Sequence, residues 1–155
     1  MAVGRFLCAV IVLVRHPFED RYLLLQRSPQ KDYMPNAWEC VTGRVDQGES
    51  FDNAVYREVY EEIGLDVEVE AILGTSHFYR GEWIPENEIQ GLKYLARATA
   101  DAVVIGEEHS QYGWLTVPEI QTMLPSDHWL QDLIQRAEQL RALVRADAIR
   151  PIFGN

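Results

Sequence analysis

The chain has 155 residues, 47% of them hydrophobic and 25% charged, with a formal net charge of -10. That length suits one domain with its own core and is short for two, and the composition excludes wholesale disorder. The acidity excludes sequence-independent binding to a nucleic-acid polymer, which rests on Lys and Arg neutralising phosphates, and it means that a small polyphosphate has to be met through a cation.

Phe6 to Arg15 and Tyr22 to Arg27 are runs of branched and aliphatic residues joined by His16-Pro17-Phe18-Glu19-Asp20, and they read as a hairpin. Phe6 to Val14 has the apolarity of a leader peptide, but only Arg5 precedes it and no small-residue cleavage site follows, so a buried strand fits better. No stretch is long enough to span a bilayer, and a soluble cytoplasmic protein is expected. Cys8 and Cys40 lack the spacing of a zinc site or a disulfide framework and read as small buried residues. Ser28 to Ala37, with Pro29 and Pro35, reads as a surface loop before a short strand at Trp38 to Val41.

From Phe51 the period becomes helical, with Val55, Val59 and Ile63 forming a stripe, Ser50 placed to cap the start and Gly64 the end. Leu65, Val67, Val69 and Ala71 then alternate with Asp66, Glu68 and Glu70 as a half-buried strand does, continuing towards Tyr79. A polar connection over Gly81 to Gly91 leads to a strand near Leu92 to Thr99, and further strands are expected at Ala102 to Ile105 and Tyr112 to Thr116. Val117-Pro118-Glu119-Ile120 opens a short helix. Ser126 or Asp127 can cap a last one, about 126–146, whose apolar face suits packing on this chain or in a homodimer. The chain carries no internal repeat or linker and reads as a single mixed α/β domain over 1–155.

The acid is concentrated between Gly43 and Leu65. Glu58, Glu61 and Glu62 stand at i, i+3 and i+4 of the expected helix, so three like charges share one side and repel. A solvated face is the ordinary explanation for such a cluster. A hard cation is the functional one, since it takes several carboxylate oxygens from one direction, and Glu49 and the Gly43 carbonyl could add oxygen from the feeding loop.

The spacing decides between these readings. Gly43, five residues, Glu49, seven residues, Arg57-Glu58-Val59, one residue, Glu61-Glu62, one residue and Gly64-Leu65 resembles the signature of the Nudix hydrolases at every fixed position. Seven identities and two aliphatic positions in set register arise by chance with a probability of roughly one in ten million at average residue usage. The resemblance implies a Nudix fold, an α/β/α sandwich with a mixed central sheet. It also implies hydrolysis of a diphosphate linkage in a nucleoside diphosphate joined to some group X, with Mg²⁺ as cofactor and Mn²⁺ as the alternative. Carried over residue by residue, it makes Glu58 and Glu62 the chief metal ligands and Glu61 a further ligand or the base that takes a proton from water. Glu49 and the Gly43 carbonyl complete the shell, and Arg57 orients the glutamates through charged hydrogen bonds.

Substrate choice has to come from the flanks. The family's usual pair of glycines before the loop is Thr42-Gly43 here, and W-x-x-V-T-G at Trp38 to Gly43 with E-H-x-x-Y-x-W-L at Glu108 to Leu115 resembles the branch that acts on dihydroneopterin triphosphate and on nucleoside triphosphates. In that branch the glutamate matching Glu108 reaches the metal site. The marks of ADP-ribose and dinucleoside polyphosphate hydrolases, a proline and a tyrosine about sixteen and seventeen residues after the signature, fall on Gly81 and Glu82 and are absent. Arg27 is a candidate phosphate contact because its planar fork matches phosphate oxygens, and Trp38, Phe78, Tyr79 and Trp83 are candidates to stack on a flat ring. A ligand-binding domain without catalysis and an isopentenyl diphosphate isomerase are the competing classes. The first could lose box glutamates, and the second needs an activated cysteine, for which only Cys40 lies near.

Overall fold

The computed structural model describes residues 4–144. One mixed seven-stranded sheet runs through it, built from β1 (Leu7–Arg15), β2 (Tyr22–Arg27), β3 (Trp38–Glu39), β4 (Val41–Arg44), β5 (Val67–Tyr79), β6 (Glu88–Ala98) and β7 (His109–Leu115). Helix α1 (Phe51–Ile63) covers one face. Helices α2 (Val117–Met123) and α3 (Trp129–Leu143) cover the other.

The alternation of β1 explains why both faces are covered. Val10, Val12 and Val14 pack with Leu23 and Leu25 against Ala54, Val55, Val59 and Ile63 of α1. Ile11 and Leu13 point the other way and pack with Tyr22 and Leu24 against Ile120, Leu130, Leu133 and Ile134. Each such side chain stabilises the fold by about 1.5–3 kcal/mol relative to exposure, so a strand apolar at every position holds only when sandwiched. The expected α/β/α layering is the one observed.

The strands differ from expectation in their pairing. β1 and β2 meet at a single rung, Arg15 to Tyr22, and then splay instead of forming a full hairpin. β1 pairs in parallel with β6 from Leu7–Ile89 to Arg15–Arg97, and antiparallel with β4 from Ala9–Arg44 to Val12–Val41. The single strand expected at Trp38 to Val41 is therefore two. β3 belongs to β2, and after Cys40 the chain transfers to β1 as β4. Alternation survives the transfer, with Trp38 and Cys40 towards α3 and Val41 towards α1.

Three further expectations are corrected. Ala102 to Ile105 is not a strand. Its apolarity serves the end of α1, where the Val104 N–H donates to the Ile63 carbonyl at 3.0 Å and Val103 joins the core. β6 starts at Glu88, earlier than Leu92, because it pairs with β5 down to Tyr79. The cap of α3 is His128, whose Nδ1 accepts from Leu130 N–H at 3.3 Å, in place of Ser126 or Asp127. Positions 145 and 146 of that expected helix lie outside the described residues.

Candidate active site

α1 begins and ends on the residues expected of it. The Ser50 hydroxyl accepts from Asn53 N–H at 3.2 Å, and Gly64 takes the left-handed conformation, φ 66°, with its N–H on the Tyr60 carbonyl. The buried stripe fixes the rotation of the helix, so that Glu58 lies against β4. There Gly43 has no side chain to interfere. A Cβ at Gly43 would stand 1.8 Å from Glu58 Cδ, so the carboxylate occupies the room that any other residue would fill.

Arg57 gathers the neighbouring acids. Its Nε and Nη2 each donate to Glu49 at 2.8 Å, Nη1 donates to Glu58 at 2.7 Å and to Glu61 at 3.2 Å, and Nη2 also reaches the Arg44 carbonyl. The bidentate pairing, helped by the Asp46 N–H, holds Glu49 down at about 2. Glu58 moves up instead, because burial outweighs its bond to Arg57.

Glu62 has no such partner. One carboxylate oxygen, Oε2, is buried without a hydrogen bond, and burial first, then the charges of Glu39, Glu58 and Glu108, push the group up to about 9. Glu58, Glu61 and Glu62 line a cleft of about 280 Å³ together with Gly106, Glu108 and His109. Glu108, 46 or more residues from any of the helix glutamates in sequence, is thus placed in the same cleft as them, where Lys31 salt-bridges it at 2.9 Å and lowers its titration.

The other candidates lie elsewhere or are already engaged. Arg27 gives Nε to the Tyr33 carbonyl at 3.0 Å and Nη1 to Glu39 at 3.1 and 3.2 Å, so those donors serve the protein. Trp38 packs with the core on the α3 face, the face opposite Glu58. Phe78 sits on β5, separated from β4 by β1 and β6, which is roughly 14 Å at about 4.8 Å per strand. Trp83 is 87% exposed and stacks on Tyr79 with centroids 5.5 Å apart. Cys40 is fully buried and burial pushes its thiol up, the reverse of an activated nucleophile.

Three residues to which the sequence assigns no role stand beside the cleft. Glu39 is buried and accepts from both Arg27 and His109, the latter through Nε2 at 2.9 Å. His109 appears in the sequence as the histidine of the E-H-x-x-Y-x-W-L stretch, with no role attached to it. Lys31 had no signal, because a lysine in a loop is unremarkable until its partner is known.

Among the described residues no three acidic, histidine or cysteine side chains already form a closed ligand group. The donors nevertheless fit a hard cation in kind: four carboxylates border one cleft, one buried oxygen lacks a partner, and a glycine makes room for another. Helix, sheet and cleft together define a sandwich protein with an acidic site on its first helix. The family model of the NUDIX domain matches residues 6–137, and the chain belongs to the Nudix hydrolase family, whose members generally use divalent metal ions.

Among its relatives is a Myxococcus xanthus protein named octanoyltransferase, 32% identical over 134 residues, which are 86% of this chain and 36% of that one. The chain thus spans about a third of that relative's length. The MutT protein of Methanosarcina mazei Go1 superposes with a TM-score of 0.71 at 26% identity, covering 90% of this chain and 98% of the other. The dihydroneopterin triphosphate pyrophosphohydrolase of E. coli shares the fold with a TM-score of 0.62 at 21% identity, covering 91% of this chain and all of that one, 100%. No helix among the described residues is long and apolar enough to cross a membrane.

Proposed function

We propose that this chain is a Mg²⁺-dependent pyrophosphohydrolase that releases pyrophosphate from a pterin or (deoxy)nucleoside triphosphate. The observation that carries the reading is the convergence of Glu58, Glu61, Glu62 and Glu108 on one cleft, with a buried Glu62 oxygen left unpartnered. Family membership supports the activity, and the sequence motifs at Trp38 to Gly43 and Glu108 to Leu115 support the substrate class.

Glu58 and Glu62 would hold the metal, with Glu49, Glu61, Glu108 and the Gly43 carbonyl as the remaining oxygen donors. Mg²⁺ bound there would neutralise phosphate oxygens and lower the pKa of a coordinated water towards neutrality. Arg57 keeps the carboxylates of Glu49, Glu58 and Glu61 in register, so they enter the site already ordered. Glu108, in the turn just before β7, would instead accept a proton from the attacking water if it is not a metal donor, once substrate phosphate draws off Lys31. The same lysine then meets the phosphates as a point charge.

Product analysis tests this. The purified protein, with and without Mg²⁺, is incubated with dihydroneopterin triphosphate, the common nucleoside triphosphates, ADP-ribose and a dinucleoside polyphosphate. Metal-dependent pyrophosphate release with preference for the pterin is the expected result. Preference for ADP-ribose or a dinucleoside polyphosphate would remove the substrate class, and binding of these compounds without turnover would make the chain a ligand-binding member.

A further inference from the structure

His109 is the least exposed polar side chain at the cleft, 2% exposed, and the family signature does not include it. Its Nε2 faces Glu39 at 2.9 Å. Glu39 in turn accepts from Arg27 Nη1 through both of its oxygens, at 3.1 and 3.2 Å, and so faces the imidazole as an acceptor. The imidazole is therefore fixed with its proton on Nε2, and Nδ1 is left without any hydrogen-bond partner although it is buried. Three buried side-chain polar atoms lack partners among the described residues, and two of them, Glu62 Oε2 and His109 Nδ1, belong to residues lining this one cleft. Both want a positive or proton-donating neighbour. A histidine backed by a carboxylate, with its other nitrogen free, is the arrangement by which proteins orient an imidazole towards a metal.

We infer that His109, oriented by Glu39, supplies a nitrogen ligand to the divalent cation of the cleft and biases it towards a transition ion such as Mn²⁺ over Mg²⁺. The inference rests on the reading of the cleft as a cation site but not on turnover. Imidazole nitrogen suits transition ions, whereas Mg²⁺ prefers oxygen throughout, so removing the nitrogen should weaken Mn²⁺ and leave Mg²⁺ nearly unchanged.

His109→Gln is the discriminating variant, because the glutamine amide reaches the Nε2 position and keeps the bond to Glu39 while Nδ1 disappears. Mn²⁺ and Mg²⁺, each alone, are titrated calorimetrically into the full chain and the variant, and the Mn²⁺-loaded proteins are examined by pulsed EPR for coupling to imidazole nitrogen. The expected result is nitrogen coupling in the parent protein, its loss in His109→Gln, and a fall of about tenfold or more in the Mn²⁺ to Mg²⁺ affinity ratio. Glu39→Gln should lower the same ratio less. An unchanged ratio, or a parent protein without nitrogen coupling, would overturn the inference. Should the protein bind Mn²⁺ through nitrogen yet hydrolyse nothing, the ligand assignment stands and the proposed reaction falls.

Discussion

The two faces of the sheet carry equally apolar cores but treat their charges differently. On the α3 side, Tyr22 donates to Glu138, and Arg141 ties Glu138 to Asp20 at the β1–β2 turn. Each group of that partly exposed network has a partner, and the buried atom without one on this face, Ser76 Oγ beside Ile11, is an uncharged hydroxyl. On the α1 side, Arg57 satisfies Glu49 and Glu58, but Glu62 and His109 keep unpaired buried atoms. The difference teaches that the acidic helix is not built for stability. A polar network that only holds the fold together is closed, whereas this one is open at the point where a ligand would close it.

Removing the open end should have the largest effect. Glu62→Gln or Glu58→Gln is expected to reduce turnover roughly thousandfold or more, since the metal's contribution is several kcal/mol, with an unchanged circular dichroism spectrum; near-normal rates in either would end the reading. Gly43→Ala should come close behind, because the new Cβ displaces Glu58 while the α1 core is untouched. If Gly43→Ala retained full activity, Glu58 would not work from the place it occupies. Arg57→Lys loses the forked bond to Glu49, and a drop of about 10–100-fold in metal affinity is expected by calorimetry. Tyr22→Phe, on the closed face, should lower stability by about 1 kcal/mol in urea melts and leave turnover alone. A rate effect there would mean that the two faces are coupled.

A further effect concerns pH in the absence of metal. Glu62 titrates near 9 in the folded protein against 4.5 when unconstrained, so the folded state binds the extra proton. Its contribution to stability is full below about pH 4.5 and is lost as the pH rises through about 9. Urea midpoints in chelator should therefore fall between about pH 6 and about pH 9, and Glu62→Gln should flatten that fall. A midpoint rising over this range would show that Glu62 is already paired.

Local signals were legible and distant ones were not. α1 runs over the residues that its stripe, Ser50 and Gly64 mark out, and β2 likewise. Ala102 to Ile105 misled because apolar residues that plug a helix end look like those that build a strand. The glutamates of α1 share a helix, so their spacing alone relates them. Glu39 and His109 are 70 residues apart and meet only because β3 and β7 both pair with β2, a fact that no stretch of sequence displays. Arg27 was visible as a cation, but its commitment to Glu39 depends on the same pairing.

The transfer of the chain from β2 to β1 at Cys40 acts as a ruler. Glu39 and Gly43 are four residues apart, and since alternation persists through the break they serve the same side of the sheet, one beneath His109 and the other beneath Glu58. Inserting or deleting one residue between them would turn one of the two away and send it into the α3 core. The loop at 28–37 can change length without that penalty, whereas the one at 45–50 is held by the fixed spacing of Gly43 and Glu49. Length variation among descendants of this chain should accordingly collect before Trp38 and be absent from there through Ile63.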